Sequence, residues 1–352
     1  MANFVQIHTL TSYPPSNLNR DDLGRPKTAV VGGATRLRIS SQSLKRAWRT
    51  SRIFTENLQG NLGIRTKEIG HYVEKLGLEL GISADKLKNV ASKLVAIFAG
   101  EKKEAKKDKD SLKAEQLVFL GTLELEAIKD LLSNIASGGD CSDEDLASVL
   151  KKAPGGVDVA MFGRMLASAQ ECNVEAAVQV AHAFSVQKVT LEDDYFTAVD
   201  DLKGAFEREG AAHIGITEFG SGVFYEYVCI DLDRLVTNLG KDRALASAGL
   251  KGLIEAVCTS SPSGKQNSFA HGSYASYVLV ERGTRQPRSL SSSFLNPIGG
   301  QDVLRDAIAQ LQDTRDSFDQ VFGKCADSRY ELSVPTKQGS LGELISFGST
   351  IE

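Results

Sequence analysis

An α+β fold with a ferredoxin-like core is predicted by three features of this 352-residue chain. Period-2 apolar runs lie near both ends, two amphipathic helical runs are set among them, and a long helical block interrupts the alternation. Stripped of insertions, the order reads strand, helix, strand, strand, helix, strand. That is the βαββαβ pattern of ferredoxin-like and RRM-like domains.

The elements follow in order. Phe4, Val5, Ile7 and Leu10 predict a first strand ending at the Pro14-Pro15 turn. Residues 16–40 predict a long irregular connection, with Gly24, Gly32 and Gly33 among the cations Arg20, Arg25, Lys27, Arg36 and Arg38. Ser40 or Ser41 then N-caps a helix running to Asn57. Residues 65–152 predict helices, and within them the run EKKEAKKDKD reads as a solvated hinge, because its five lysines nearly cancel four acids. After Pro154-Gly155-Gly156 the spacing drops to two. VDVAMF predicts a strand, and AVQVAHAFSVQKV predicts another with Val178, Val180, His182, Phe184 and Val186 on one face and His182 satisfied in the core. A Gly-punctuated acidic excursion spans 188–222. A strand over 223–232, a helix over 242–258, a strand over 273–283, a helix over 301–322 and a polar tail complete the chain.

Hydrophobic content of 41% and charged content of 24% exclude disordered and collagenous classes. No apolar run reaches the ~18 residues of a membrane span, and MANFVQIHTL has no basic n-region, so a cytoplasmic protein away from membranes is expected. Five cysteines (141, 172, 229, 258, 325) and five histidines (8, 71, 182, 213, 271) stand apart without metal or nucleophile spacing. Reduced structural thiols, no cofactor, no metal and no catalytic residue are expected.

Net charge is −4, yet residues 1–60 hold nine Lys/Arg against three Asp/Glu, leaving −10 for the remainder. Such segregation points to one local anion-binding surface. The first helix sharpens it. At about 100° per residue, Arg46, Arg49 and Arg52 fall on the arc of Lys45, while Leu44, Ala47, Trp48, Ser51 and Phe54 fall opposite. Ser40, Ser41, Gln42 and the free N–H groups of the helix start complete a phosphate-binding edge blind to base identity. The loop Ser263-Gly264-Lys265-Gln266-Asn267 fits a phosphate contact and ordinary turn chemistry equally.

SNLNRDD, the Gly-Gly before ATRLRISSQSLKRAWR, VDVAMFGRM, YFTAVDDL, GAAHIGITEFGSGVFY and PSGKQNSFA occur in this order. Together they resemble the CasC backbone subunit of type I-E CRISPR Cascade, an RNA-guided surveillance complex of antiviral defence, within the RAMP superfamily. The likeness runs through most of 1–283 and is weak over 60–150. It implies an RRM-like palm (1–60, 154–187, 223–352), a helical fingers insertion (61–153) and a β-hairpin-like thumb (188–222). Copies would stack head to tail along crRNA, without catalysis, presenting it in segments to target DNA. The other partners implied are the large subunit, the small subunit, a CasD-type cap and the crRNA-processing endonuclease. By matched motif, Arg20, Lys27, Gln42, Lys45, Arg46 and Arg49 would hold the guide backbone, beside Ser40, Ser41 and Lys265. Met165, Tyr195 and Phe196 would meet the displaced nucleotide.

The excursion carries eight acids and three bases, so it cannot attract RNA by charge and would act by stacking instead. Phe219 is equally a filler of the hairpin's small core. An enzymatic alternative exists, because backbone subunits of related type III complexes cut RNA with an acidic residue after the first strand. Asp21 and Asp22 lie in the comparable region and would act as a metal-dependent ribonuclease pair. The bland reading of this pair is a turn ion-paired with Arg20.

Overall fold

The computed structural model describes residues 3–100, 112–198 and 213–351. The 101–110 charge run and residues 199–212 of the acidic excursion lie outside the described residues. Element by element, β1 (Phe4–Ser16), β2 (Thr28–Val31) and β3 (Ala34–Ile39) precede α1 (Ser41–Arg49), α2 (Arg52–Asn57) and β4 (Ile64–Thr66). Helices α3 (Ile69–Glu79) and α4 (Ala84–Ala99), β5 (Val118–Leu120), α5 (Thr122–Ala136), α6 (Asp143–Ser148) and α7 (Val157–Phe162) follow. Then come β6 (Val178–Val180), β7 (Ala183–Ser185), β8 (Glu192–Ala198), β9 (His213–Asp231), α8 (Leu232–Asn238), α9 (Arg243–Thr259) and α10 (Gln266–Phe269). The chain ends with β10 (Ala275–Gly283), α11 (Val303–Phe322), β11 (Ser328–Ser333) and α12 (Leu341–Ser349).

The chain divides into two units. The first comprises Met1–Phe54, Val180–Ile230 and Leu250–Thr350. Its sheet runs β11-β10-β1-β9-β7-β3-β2, with β8 also paired to β9. Counting β1, β7, β9 and β10 alone, the spatial order is 4-1-3-2, that of a ferredoxin-like sheet, with the acidic excursion between the second and third of these strands and not after the third as expected. The α+β class and this core are therefore present. The strand β1 is central and almost continuously buried, as a strand covered on both faces must be. Leu10, Tyr225, Tyr277, Leu279, Phe294 and Leu311 pack into one apolar cluster beside it.

The second unit comprises Thr55–Gln179, Asp231–Gly249 and the last two residues. Its helices bury Leu87, Leu94, Phe98, Ile128 and Leu132 around a common core. Arg164, nearly inaccessible, donates to both carboxylate oxygens of Glu124 at 2.7 Å and to the Cys172 and Lys151 carbonyls. Glu124 also accepts the Gly121 and Lys151 N–H groups, so every member of this buried network is satisfied.

Several expectations are corrected. The irregular 16–40 connection contains a hairpin, β2–β3, closed by Gly32 and Gly33 at φ 57° and 76°. A two-residue turn with both φ positive is the type I′ geometry that suits strand twist, and glycine supplies it. Arg36 within it is fully buried and donates to the Ser185, Val186 and Phe294 carbonyls, which removes it from any solvent-facing cationic surface. The first helix breaks at Thr50-Ser51, where Ser51 Oγ donates to Trp48 O and accepts the Phe54 N–H. VDVAMF is the helix α7 and not a strand. Val157 through Met161 are all buried, so no polar face exists to impose a period, and its alternation was uninformative. AVQVAHAFSVQKV forms two short strands interrupted at Ala181-His182, and the polar tail holds β11, which pairs with β10, and α12.

The first strand also runs past its expected end. Pro14 and Pro15 lie within β1, beyond the last β10 pair at Thr11↔Ala275, where no N–H is owed to that ladder.

Candidate nucleic-acid interface

The edge begins with the loop that follows β1. Asp21 Oδ1 accepts the N–H groups of Leu23 (3.0 Å) and Arg25 (2.9 Å), an Asx turn that closes the loop on itself. Asp21 is therefore not ion-paired with Arg20. Asn17 Nδ2 donates to Gly24 O and Glu218 O, and Arg25 pairs with Glu218 at 3.0 Å, tying this loop to the base of the β8–β9 hairpin.

Ser40 caps α1, its hydroxyl accepting the Ser43 N–H at 3.3 Å. Its own N–H donates to Asn19 Oδ1 at 2.8 Å. The Ser41 N–H is given to His182 Nδ1 at 2.9 Å, and the Leu44 N–H to Ser40 O. Most of the N–H groups that the sequence leaves free at this terminus are thus already committed. His182 is exposed and not satisfied in the core as expected, because the strand breaks at Ala181-His182 and turns the ring toward α1.

The helix faces separate as expected, with Leu44 and Trp48 buried and Gln42 and Arg46 exposed. Lys45 and Arg49 are half-buried, and burial lowers the Lys45 amine from its ordinary value. A cleft of about 390 Å³ opens beside the exposed side, lined by Arg20, Asp21, Ser43, Arg46, Thr50 and Ser263. Among the described residues, no carboxylate lies within ion-pair distance of Arg20 or Arg46, so both charges face solvent uncompensated.

The 263–267 loop reaches the same cleft. A side chain at Gly264 would strike the Leu18 carbonyl, and His271 Nε2 holds Gly264 O at 2.8 Å. Close approach of two backbones requires glycine there. Lys265 is exposed and left-handed at φ 55°. Lys27 is half-buried, its carbonyl accepting the Arg38 N–H at 2.7 Å, which sets it beside the start of α1 rather than in the cleft.

In the β8–β9 hairpin, Tyr195 pairs with Ile216, and the two are 61% and 67% exposed. Phe196 lies opposite Gly215, its ring filling the space a side chain there would occupy. Phe219 sits 6.2 Å from the Phe269 ring, at the hairpin base. Phe196 therefore supports the hairpin while staying 42% exposed, Phe219 packs at its base, and the more exposed apolar pair is Tyr195 with Ile216. In the second unit, Met165 is 81% exposed between buried Arg164 and Leu166, so it is not a core methionine.

Asp22 is exposed, and no group of three His, Cys, Asp or Glu residues able to hold a metal occurs among the described residues. No helix of the described residues is long and apolar enough to cross a membrane.

Comparison with known proteins adds the following. The family model described as CT1975-like protein matches residues 5–347. A solved chain titled "CRISPR RNA-guided surveillance complex, pre-nicking" superposes with a TM-score of 0.87 at 30% identity, covering 98% of this chain and 99% of that one. A second, titled "CRISPR RNA-guided surveillance complex", gives 0.61 at 26% identity with coverage of 98% and 99%. No curated protein matches.

Proposed function

The chain belongs to the CT1975-like protein family, and from that premise we propose that it is the backbone subunit of a type I-E CRISPR Cascade. It polymerises on crRNA, grips the sugar-phosphate chain without reading sequence, and presents the guide for pairing with target DNA. Base pairing would then carry specificity while the protein reads shape and phosphate. The observation that carries this reading is the cleft whose cations Arg20 and Arg46 lack carboxylate partners, with Lys265 on its rim. The near-complete overlap with a surveillance-complex chain supports it.

Light scattering during titration with a long single-stranded RNA tests the assembly. Mass that grows in regular steps until the RNA is covered is expected. A single one-to-one complex would leave only an isolated RNA-binding module.

The ribonuclease reading using Asp21 and Asp22 is disfavoured because the Asp21 carboxylate is engaged by its own loop. RNA is expected to survive incubation with Mg²⁺ or Mn²⁺. Cleavage lost in Asp22→Ala would reinstate it.

Within the thumb, Tyr195 with Ile216 is the apolar surface suited to wedge against a base, and Phe196 braces the hairpin. Stacking of one base is worth about 1–3 kcal/mol, while the phosphate contacts that hold the chain are separate. Tyr195→Ala is expected to blur the periodic nuclease protection of bound RNA and to change overall affinity little. Unaltered periodicity would remove Tyr195 from this role.

A further inference from the structure

Three elements of the first unit converge at the start of α1. Arg38 comes from β3, Lys27 from the segment before β2, and His182 from the residue before β7. His182 Nδ1 accepts the Ser41 N–H at 2.9 Å and lies 3.5 Å from Arg38 Nη1. An Nδ1 that accepts a backbone N–H carries no proton, so the imidazole is neutral with its hydrogen on Nε2. Burial, then the charges of Arg38 and Lys27, lower its pKa from the ordinary value, and no carboxylate acts on it. In the free protein the surroundings therefore oppose the imidazolium.

A polyanion opposes the two charge influences. Placed against Lys27 and Arg38, a phosphate neutralises the charges that repel a proton and attracts one itself. The protonated ring cannot accept at Nδ1, so the Ser41 N–H is released at the same moment and is free to meet a phosphate oxygen. We propose that His182 is a proton-linked ligand of the nucleic-acid backbone: seating an RNA phosphate beside Lys27, Arg38 and the first turn of α1 draws a proton from solvent onto the imidazole and adds a cation to the grip. This rests on the RNA-binding reading above and assigns that reading a residue and a pH response.

The sign follows from linkage. Because binding raises the His182 pKa, binding takes up a proton, and affinity grows as pH falls through the bound-state value. A rise of about one unit sets a limit of about tenfold per subunit.

The test uses the full chain and a 5′-labelled oligouridylate, at constant ionic strength, between pH 8 and pH 5.5. The wild type is expected to tighten several-fold across this range, approaching that limit of about tenfold. His182→Asn keeps an acceptor near the Nδ1 position but cannot titrate. It is expected to lose the pH dependence. The imidazole resonance of His182, followed by NMR with and without the oligonucleotide, gives an independent reading, and its pKa is expected to be higher in the complex. A flat wild-type profile, a His182→Asn profile as steep as the wild type, or an unmoved pKa overturns the proposal while leaving the backbone function standing. Absence of oligouridylate binding at every pH overturns both.

Discussion

Replacing Arg20 and Arg46 together by alanine will weaken single-stranded RNA binding on the order of 100-fold, equally for every sequence tried. A hydrogen bond to a charged group contributes about 1.5–3 kcal/mol, roughly tenfold or more for each guanidinium that meets a phosphate. The two lie on one cleft without carboxylate partners, so neither charge is withdrawn from a ligand by an internal pair. The log–log salt slope will flatten by about 1.4, which is about 0.7 for each single-strand phosphate that is no longer neutralised. Thermal stability will hold, because both side chains are exposed and alanine suits the last turn of α1. Affinity and salt slope measured by fluorescence anisotropy decide it. A loss restricted to particular RNA sequences, or an unchanged slope, would contradict a backbone-reading cleft.

The second large effect is on stability. Glu281 is fully buried on β10, and its carboxylate accepts from Arg288 at 2.6 and 3.1 Å and from Arg329 at 2.7 Å. His8, equally buried, lies 3.3 Å away and accepts the Tyr225 hydroxyl at Nδ1. Burial alone would raise the Glu281 carboxyl. Hydrogen bonds from the His8 ring and from Arg288, with the arginine's charge, outweigh it and hold the group well below the ordinary carboxylate range. Arg329 holds Asp319 down to about 2 in the same way, bonding it at 2.6 and 2.9 Å.

Glu281→Gln leaves two arginines without their shared charge. Breaking one side of a buried pair costs about 3–5 kcal/mol. The lower end applies here, because Arg288 and Arg329 keep 14% and 23% exposure and so retain some water. Urea denaturation at pH 7 is expected to show a loss of about 3 kcal/mol. Both carboxyls are depressed in the folded state, so their contribution is full above the ordinary carboxylate range and is lost as pH falls toward 2. The wild type will lose stability steeply below about pH 4.5, whereas Glu281→Gln will show a shallower decline. Equal stability at pH 7, or parallel acid profiles, would mean the cluster contributes nothing net.

The parts of the fold that were legible are those with a strong local period. Leu44, Trp48 and Phe54 occur at helical spacing and are buried, and β1, α9, β10 and α11 lie where alternation or periodicity puts them. The β2–β3 hairpin was legible in principle, since Gly32-Gly33 sits between two β-branched runs, a strong hairpin signal. The surrounding cations drew the reading toward an irregular loop. VDVAMF misled because an alternating string of buried residues carries no information about period once every face is covered.

Of the candidate site, the cationic edge was visible in residue types and order. Its internal commitments were not. Arg36 reads as one cation among five but is spent inside the first unit on carbonyls, and of the two cap candidates Ser40 is the one that caps α1. Phe196 and Tyr195 are neighbours of similar character, and only the register opposite Gly215 and Ile216 decides which is the more exposed.

By itself, then, this amino-acid string specified the α+β class, the strongly periodic elements β1, α9, β10 and α11, and the apolar and cationic faces of the first helix. Periodicity and charge act over a few residues and survive without a partner. Tertiary structure decided which polar groups are already spoken for: the N–H groups given to His182 and Ser40, the carbonyls taken by Arg36, the carboxylate oxygen of Asp21 turned into its own loop. Their partners stand anywhere from two to well over a hundred residues apart in sequence, and for the distant ones nothing short of the closed backbone brings donor and acceptor within bonding distance.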